Sequence, residues 1–551
     1  MLHEKWIRLI VPCLLGGILF LIIYGLTPLN VKNDSWIMAG YDETDIIQHY
    51  SGWIAFRNSE WAFPIGLAGD MACEDGTYIS YTDSIPWVAI VFKLIRGILP
   101  DTFQYFGIYT LLCYILQGVA AFNIIFYKCR NMLYAATGTI LFITAPILLE
   151  RALRHTALGS QWLILFAILI YLMHRDKPKN IHYAEYLLLL ILAIGIHPYF
   201  LPPIGIFLLL CVINDVVQKK FLSIVLMMAD LVGTYCCGRI IGVLGTGIRP
   251  SRKDYGVYSM NLNALINPTS IGGYTWSAFV KTLPQRAGNG DGFNYLGLGI
   301  IAGIFLVAVM GILLKENCDF KAWIKRNGIA IFFLFCCTLF AVTNVVSFND
   351  RVLLEVPLPE WLRYICGIFR ASARIFYPVY YCIFIVIIYR IWRLRKRTTE
   401  KRICFILGLL VLIQLFDIHI CIWEKHKSMQ ENAGYESLAD DVVLNKIMSG
   451  NEYLVLDGYY EANRSLAVTA LKNNLKIYYS TANSGDYSHT AMKNQEIIDS
   501  IHKTGKIAPY VVVTIDPVIV DKYVNYENIG CYQKDGLYFL YDSKNYSEGL
   551  T

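Results

Sequence analysis

Stretches of about twenty mostly apolar residues recur along this chain, and a helix crossing a bilayer core needs about that many. They fall at roughly 6–28, 103–127, 131–149, 158–173, 183–199, 201–217, 221–244, 293–314, 328–347, 374–393 and 403–423. Composition points the same way. The chain is 56% hydrophobic and 16% charged, against about 25% charged in soluble domains. An α-helical polytopic membrane protein is therefore expected. The first span carries Lys5 and Arg8 at its start and has no small-residue cleavage site, so it reads as a retained helix rather than a signal peptide.

A net charge of +6 would ordinarily suggest nucleic acid. Here the basic residues sit in short runs between apolar spans, and topology accounts for them better than nucleic-acid binding does. Ser84–Leu99 is apolar but short, and it contains Lys93 and Arg96. Read as an interfacial helix rather than a crossing, it leaves every basic loop (Lys128 and Arg130, Arg175–Lys179, Lys219–Lys220, Lys315–Arg326, Arg390–Arg402) on one side. That selects about 11 transmembrane helices, N-terminus inside and C-terminus outside. The long first loop (about 29–102), the Glu150–Ala157 turn, the His197 junction and the loops 245–292 and 348–373 then face outward. So does everything after about 424.

Two domains are expected: 1–425 within the membrane, and 426–551 as a small extracytoplasmic α/β domain. The second prediction rests on strand-like runs (Tyr453–Asp457, Lys476–Tyr479, Tyr510–Ile515, Leu537–Tyr541) that alternate with helical ones (Ser437–Met448, Asn494–Lys503). The fifteen cysteines lie mostly within apolar spans, as packing residues do. Cys73 and Cys531 are extramembrane and are candidates for pairing, and no spacing resembles a zinc or haem site.

Chemistry-bearing residues concentrate in the outward segments. In Gly40–Trp53, a helix over Asp42–Arg57 puts Asp45, Gln48, His49 and Gly52 on one face, with Trp53, Phe56 and Trp61 seating it at the interface. The plain alternative is a wetted amphipathic helix. Glu74, Asp75 and Asp83 follow in the same loop. The turn Glu150–His155 carries Arg151, Arg154 and His155, which suit a phosphate because guanidinium binds phosphoryl oxygens bidentately; headgroup snorkelling is the alternative. Arg370 and Arg374 lead from an outer loop into a span, where arginine is costly and usually faces the bundle interior or a ligand. His197, in Ile196–Tyr199, joins this polar set. The loop 245–292 carries Arg249, Arg252, Lys253, Tyr255 and Arg286 among many glycines, and reads as a mobile flap or as plain disorder.

Together, Asp45-Ile-Ile-Gln-His-Tyr-Ser-Gly-Trp53, Trp61–Gly66, Thr82–Pro86, Phe103–Gly107, Ile196–Tyr199 and Phe369–Arg374 resemble the GT-C superfamily of membrane glycosyltransferases. The local match is closest to a bacterial family of uncharacterised GT-C-like polytopic proteins, over roughly residues 30–380. The resemblance implies a GT-C-like catalytic domain in the bacterial cytoplasmic (inner) membrane. A sugar would move from a polyprenyl-phosphate-linked donor to a glycan or lipid acceptor, with inversion. In that superfamily an outer-loop Asp placed three residues before a His, Arg or Gln is the general base. Asp45 with Gln48 fits this spacing better than Asp42 does. The resemblance further implies substrate- or phosphate-binding roles for Asp42, Gln48, His49, Asp83, Arg151, Arg154, His155, His197, Arg370 and Arg374. A divalent metal stays open, with Asp45, Asp75 and Asp83 as the carboxylates available; members with a monophosphate donor work without one. A transporter or flippase of lipid-linked glycan is the rival reading, although such proteins usually show pseudo-repeated halves and none is evident here.

Overall fold

The computed structural model describes all residues except 1, 42–44, 246–254, 314–319, 459–462, 483–484 and 547–551. Among the described residues, seven helical segments are long and apolar enough to cross a membrane: Trp6–Tyr24, Phe106–Cys129, Thr156–Asp176, Pro198–Val217, Leu222–Ile241, Ser372–Lys396 and Glu400–Asp440. Four shorter apolar helices, Met132–Ile143, Ile181–Ile196, Leu298–Leu313 and Arg326–Val342, lie at the other expected spans. This is a helical membrane protein with small sheets.

The chain divides into two compact units. One comprises Met1–Leu29, Phe106–Thr234 and Pro250–Gln430, and the other Asn30–Tyr105, Tyr235–Arg249 and Glu431–Thr551. The helical unit holds most of the apolar helices. Lipid tails are as apolar as leucine, so close approach and interhelical hydrogen bonds must supply the packing. Both are present. A Cβ on Gly16 would lie 2.4 Å from the Tyr114 carbonyl oxygen, and one on Gly118 would lie 2.7 Å from that of Pro12. The first helix therefore meets Phe106–Cys129 backbone to backbone. Gln117 Nε2 donates to Tyr381 Oη at 2.8 Å, Tyr381 donates to Gln161, and Gln161 Nε2 donates to the Ile147 carbonyl at 2.9 Å.

The described part of the glycine-rich loop, from Tyr255 onward, is an asparagine-pinned segment and not an unstructured flap. Asn261 Nδ2 donates to the Asn349 carbonyl at 2.7 Å, Asn289 Nδ2 donates to that of Ser259 at 2.8 Å, and Asn267 Oδ1 accepts from the Leu283 amide at 3.0 Å. Its exit is fixed by Tyr380, which donates to the Tyr295 carbonyl, and by Asp417, which accepts from Tyr295 Oη and the Leu298 amide. Arg249, Arg252 and Lys253 lie outside the described residues.

The second unit contains a five-stranded sheet in the spatial order Lys476–Ile477, Tyr453–Leu456, Tyr510–Thr514, Leu537–Asp542, Ile529–Lys534. The first three strands are parallel, Leu537–Asp542 runs antiparallel to them, and Ile529–Lys534 pairs antiparallel with Leu537–Asp542. Val455, Val512 and Leu540 from the sheet pack with Ile497, Ile498 and Ile501 of helix Ser488–Thr504. The strand Ile529–Lys534 and the helices Arg464–Lys472 and Pro517–Val524 add to the elements read from sequence.

The C-terminal segment, expected as a domain of its own, thus shares a compact unit with the first loop. The joint is a strip of backbone. Met71 bridges Ile477 in parallel, the Ala72 amide donates to the Tyr479 carbonyl, and the Ile477 amide donates to that of Asp70. Residues 70–73 therefore extend the sheet beyond its edge strand. The expected helix within Ser84–Leu99 spans Pro86–Leu94. Its Lys93 is buried under Phe56 and Trp61, with Nζ 4.0 and 4.5 Å from the ring centres. Cys73 and Cys531 are free thiols.

Candidate functional site

In the second unit the helix Asp45–Asn58 carries the predicted acidic motif. Asp45 is its first residue, where a carboxylate complements the helix dipole, and its side chain is 32% exposed. Asp45 Oδ1 pairs with Arg464 Nη1 at 3.1 Å. From Ile46 to Phe56 every residue is buried, so neither the interfacial nor the wetted amphipathic reading holds. Trp53 and Phe56 sit in the core, and Trp61 is the exposed aromatic.

The expected face, Asp45–Gln48–His49–Gly52, packs on the turn 79–85. Gln48 Nε2 donates to the Tyr81 carbonyl at 3.4 Å, and the His49 carbonyl accepts from Ser84 Oγ at 2.7 Å. A Cβ on Gly52 would fall 1.9 Å from Thr82 Oγ1, so only glycine lets helix and turn approach this closely. Asp83 and Ile85 in this turn hold φ of 55° and 53°, a region costly for side-chain-bearing residues. This conformation presents the Asp83 carboxylate within 4.8 Å of a His49 ring nitrogen.

Burial pushes the His49 imidazole down to about 4, and Arg464 adds to the shift while Asp45 opposes it. His49 is therefore neutral at pH 7. The carboxylates considered for a metal do not assemble. Asp75 caps helix Ser488–Thr504, accepting from the Thr490 amide and hydroxyl at 2.9 Å and from His489 Nδ1 at 3.1 Å. Among the described residues Asp45, Asp75 and Asp83 form no three-ligand group, and Asp42 lies outside them.

The His49 shift has a consequence for stability. An unfolded imidazole takes its proton near 6.5 and the folded one near 4, so between those values the unfolded chain binds more protons. The fold is favoured fully above about pH 6.5 and loses about 3 kcal/mol from this residue as pH falls toward 4. Thermal unfolding of the detergent-solubilised protein from about pH 7.5 down to about 4.5 should show this acid loss. The variant His49→Gln should flatten it.

The helical unit carries the second set of predicted residues. Pro146–Arg151 ends in Glu150 and Arg151, and the following turn supplies Arg154 and His155. They gather around Asp291, from the turn Asn289–Gly292. Arg151 Nη1 reaches Asp291 Oδ1 at 2.7 Å, and Nη2 donates to the Asp291 carbonyl oxygen at 2.7 Å. Arg374 Nη2 lies 3.2 Å from Asp291 Oδ2. Arg154 pairs with Glu150 at 2.7 Å.

Arg374 also stacks over the Tyr199 ring at 5.1 Å, and Tyr199 Oη accepts from the Ala371 amide at 3.0 Å. His197 completes the wall. Its ring centre lies 5.4 Å from that of His155, and its Nδ1 accepts from the Tyr199 amide at 3.2 Å. Arg370 lies over Tyr258 at 6.0 Å. Burial alone would raise the Asp291 carboxyl, but Arg151, Arg374 and Arg154 outweigh it and hold the group far below the usual carboxylate range.

Five residues singled out by sequence thus form one centre, with Arg151, Arg154, His155 and His197 buried and Arg374 partly so. Sequence reasoning missed its two carboxylates in role. Asp291 was hidden in a loop read for its basic residues, although Asn289-Gly-Asp-Gly292 marks a tight turn. Glu150 was read only as a neighbour of the arginines. Arg464, the partner of Asp45, gave no local signal.

No curated protein matches the chain. The model of a family described as a domain of unknown function, DUF6311, matches residues 13–419. That stretch takes in both the helix Asp45–Asn58 and the arginine centre and covers well over half of the sequence, so the chain belongs to the DUF6311 family.

Proposed function

We propose that this protein is a membrane glycosyltransferase of GT-C type. It has eleven crossings, and its chemistry is on the extracytoplasmic face of the bacterial inner membrane. The donor is a sugar on a polyprenyl phosphate, and the acceptor is a glycan or lipid hydroxyl. Asp45 takes the acceptor proton as that oxygen bonds to the anomeric carbon. The bond from that carbon to the lipid phosphate oxygen breaks, and polyprenyl phosphate leaves. Attack opposite the leaving group inverts the anomeric centre.

The observation that carries this reading is the arginine centre. Two buried guanidiniums, Arg151 and Arg154, and a partly buried third, Arg374, gather with Asp291 and Glu150 inside an apolar helical unit. Buried cations are costly and are kept where they serve an anion. Guanidiniums fixed in advance suit the charge that develops on a departing phosphate. At the other functional element, Asp45 is a partly open carboxylate on a rigid, buried helix, the geometry of a positioned base.

Purified protein in vesicles, given a polyprenyl-phosphate hexose and a hydroxyl acceptor, should release polyprenyl phosphate and glycosylate the acceptor. Movement of the lipid-linked sugar across the bilayer with its sugar–phosphate bond intact would instead assign a transporter.

A further inference from the structure

Between the helix ending at Val342 and the helical stretch beginning at Ser372, the chain builds a hairpin and a short helix. The hairpin pairs Val345–Phe348 with Arg351–Glu355, and the helix is Glu360–Cys366. The hairpin is closed at its base, where the Val356 amide donates to the Asn344 carbonyl at 2.8 Å and Asn344 Nδ2 donates to that of Val356 at 2.9 Å. Yet every residue of the strand Arg351–Glu355 is exposed, and no residue of the helix is buried. Leu353, Leu354, Val356, Trp361, Ile365 and Ile368 all face outward, Trp361 at 65% and Leu353 at 60% exposure. Short helices owe their stability in water to a packed face, and an isolated two-stranded hairpin is marginal there. An element with so many exposed apolar side chains points to something that covers it.

We infer that this hairpin–helix element lies in the interfacial layer of the bilayer, with its aliphatic side chains toward the acyl boundary and Trp361 and Tyr364 at headgroup level. Three observations favour lipid over a protein partner. Each flank is tied to an apolar helix by a short link. Val342 to Val345 and Phe369 to Ser372 are three residue steps, at most about 11 Å of chain each. The composition is that of the membrane–water boundary, with Trp361 and Tyr364 beside aliphatic residues. Arg351, Glu355, Glu360 and Arg363 are interspersed and keep the element in the polar layer. Backbone chemistry sets the depth. Among the described residues the strand Arg351–Glu355 pairs only with Val345–Phe348, and such an edge cannot enter hydrocarbon, where its amides and carbonyls would go unsatisfied. The inference depends on membrane residence and not on glycosyl transfer, so it survives if the transferase reading fails.

The test uses the full chain with p-benzoylphenylalanine in place of Leu353, or in place of Trp361, reconstituted in phosphatidylcholine–phosphatidylglycerol vesicles and irradiated. Met492, exposed on helix Ser488–Thr504, is the control position. Mass analysis should find phospholipid adducts at 353 and 361 several-fold above those at 492. Adducts no more frequent than at 492, or crosslinks between two protein copies, would overturn the proposal. A second measurement needs no crosslinker. Trp361→Phe should lower the fraction of tryptophan fluorescence quenched by bromine-labelled phospholipid, and an unchanged fraction would also overturn it.

Discussion

Replacing Asp45 by Asn should lower sugar transfer by about 10²–10⁴-fold, the range for loss of a positioned general base, while leaving the protein folded. The two halves of this expectation come from different features. The loss follows from chemistry, because the amide cannot accept the acceptor proton. The retention of fold follows from geometry. Asp45 is 32% exposed and its partner Arg464 21%, and a partly exposed pair of this kind contributes about 0–1 kcal/mol. The residues that hold the helix on its neighbouring turn, Gln48 and Gly52, are untouched. Reconstituted vesicles supply the activity, and thermal unfolding in the same detergent supplies the stability. Full transfer by Asp45→Asn would remove Asp45 as base. Loss of transfer with a large fall in unfolding temperature would show a structural role instead.

Asp291→Ala should be the most destabilising single change in the helical unit. It leaves Arg151 without the carboxylate at 2.7 Å and Arg374 without the one at 3.2 Å. Breaking a buried pair by deleting one partner typically costs about 3–5 kcal/mol, because the orphaned charge has no water to return to. The double variant Asp291→Leu with Arg151→Met should recover much of that loss, since apolar replacement of both partners is often near neutral. Inorganic phosphate added to Asp291→Ala should raise its unfolding temperature by mass action, as expected if the guanidiniums accept a phosphoryl anion. No rescue by phosphate would count against an anion site there.

What the sequence disclosed and what it withheld follow from the range of each signal. Apolar spans are local, and the described helices fall where hydropathy placed them. The shared face of Asp45, Gln48, His49 and Gly52 is also local, fixed by helical spacing. Burial of that face is not, because it is decided by Thr82 and Ser84 some thirty residues on. The arginines of Glu150–His155 were visible because cations there oppose the charge bias, whereas Asp291, 140 residues from Arg151, had nothing nearby to mark it. Arg464 is 419 residues from Asp45. The strip Asp70-Met-Ala-Cys73 shows no strand alternation, since its pairing is dictated by the sheet it joins rather than by its own side chains.

That strip also sets an order of events in biosynthesis. Met71 leaves the ribosome about 400 residues before Ile477 does. At translation rates of about 5–20 residues per second, the gap is roughly 20–80 s. Throughout that interval the first loop has been made while its sheet has not, and the helix bearing Asp45 lacks the Arg464–Lys472 segment that supplies its ion-pair partner. The acidic motif is synthesised long before the segment that completes it.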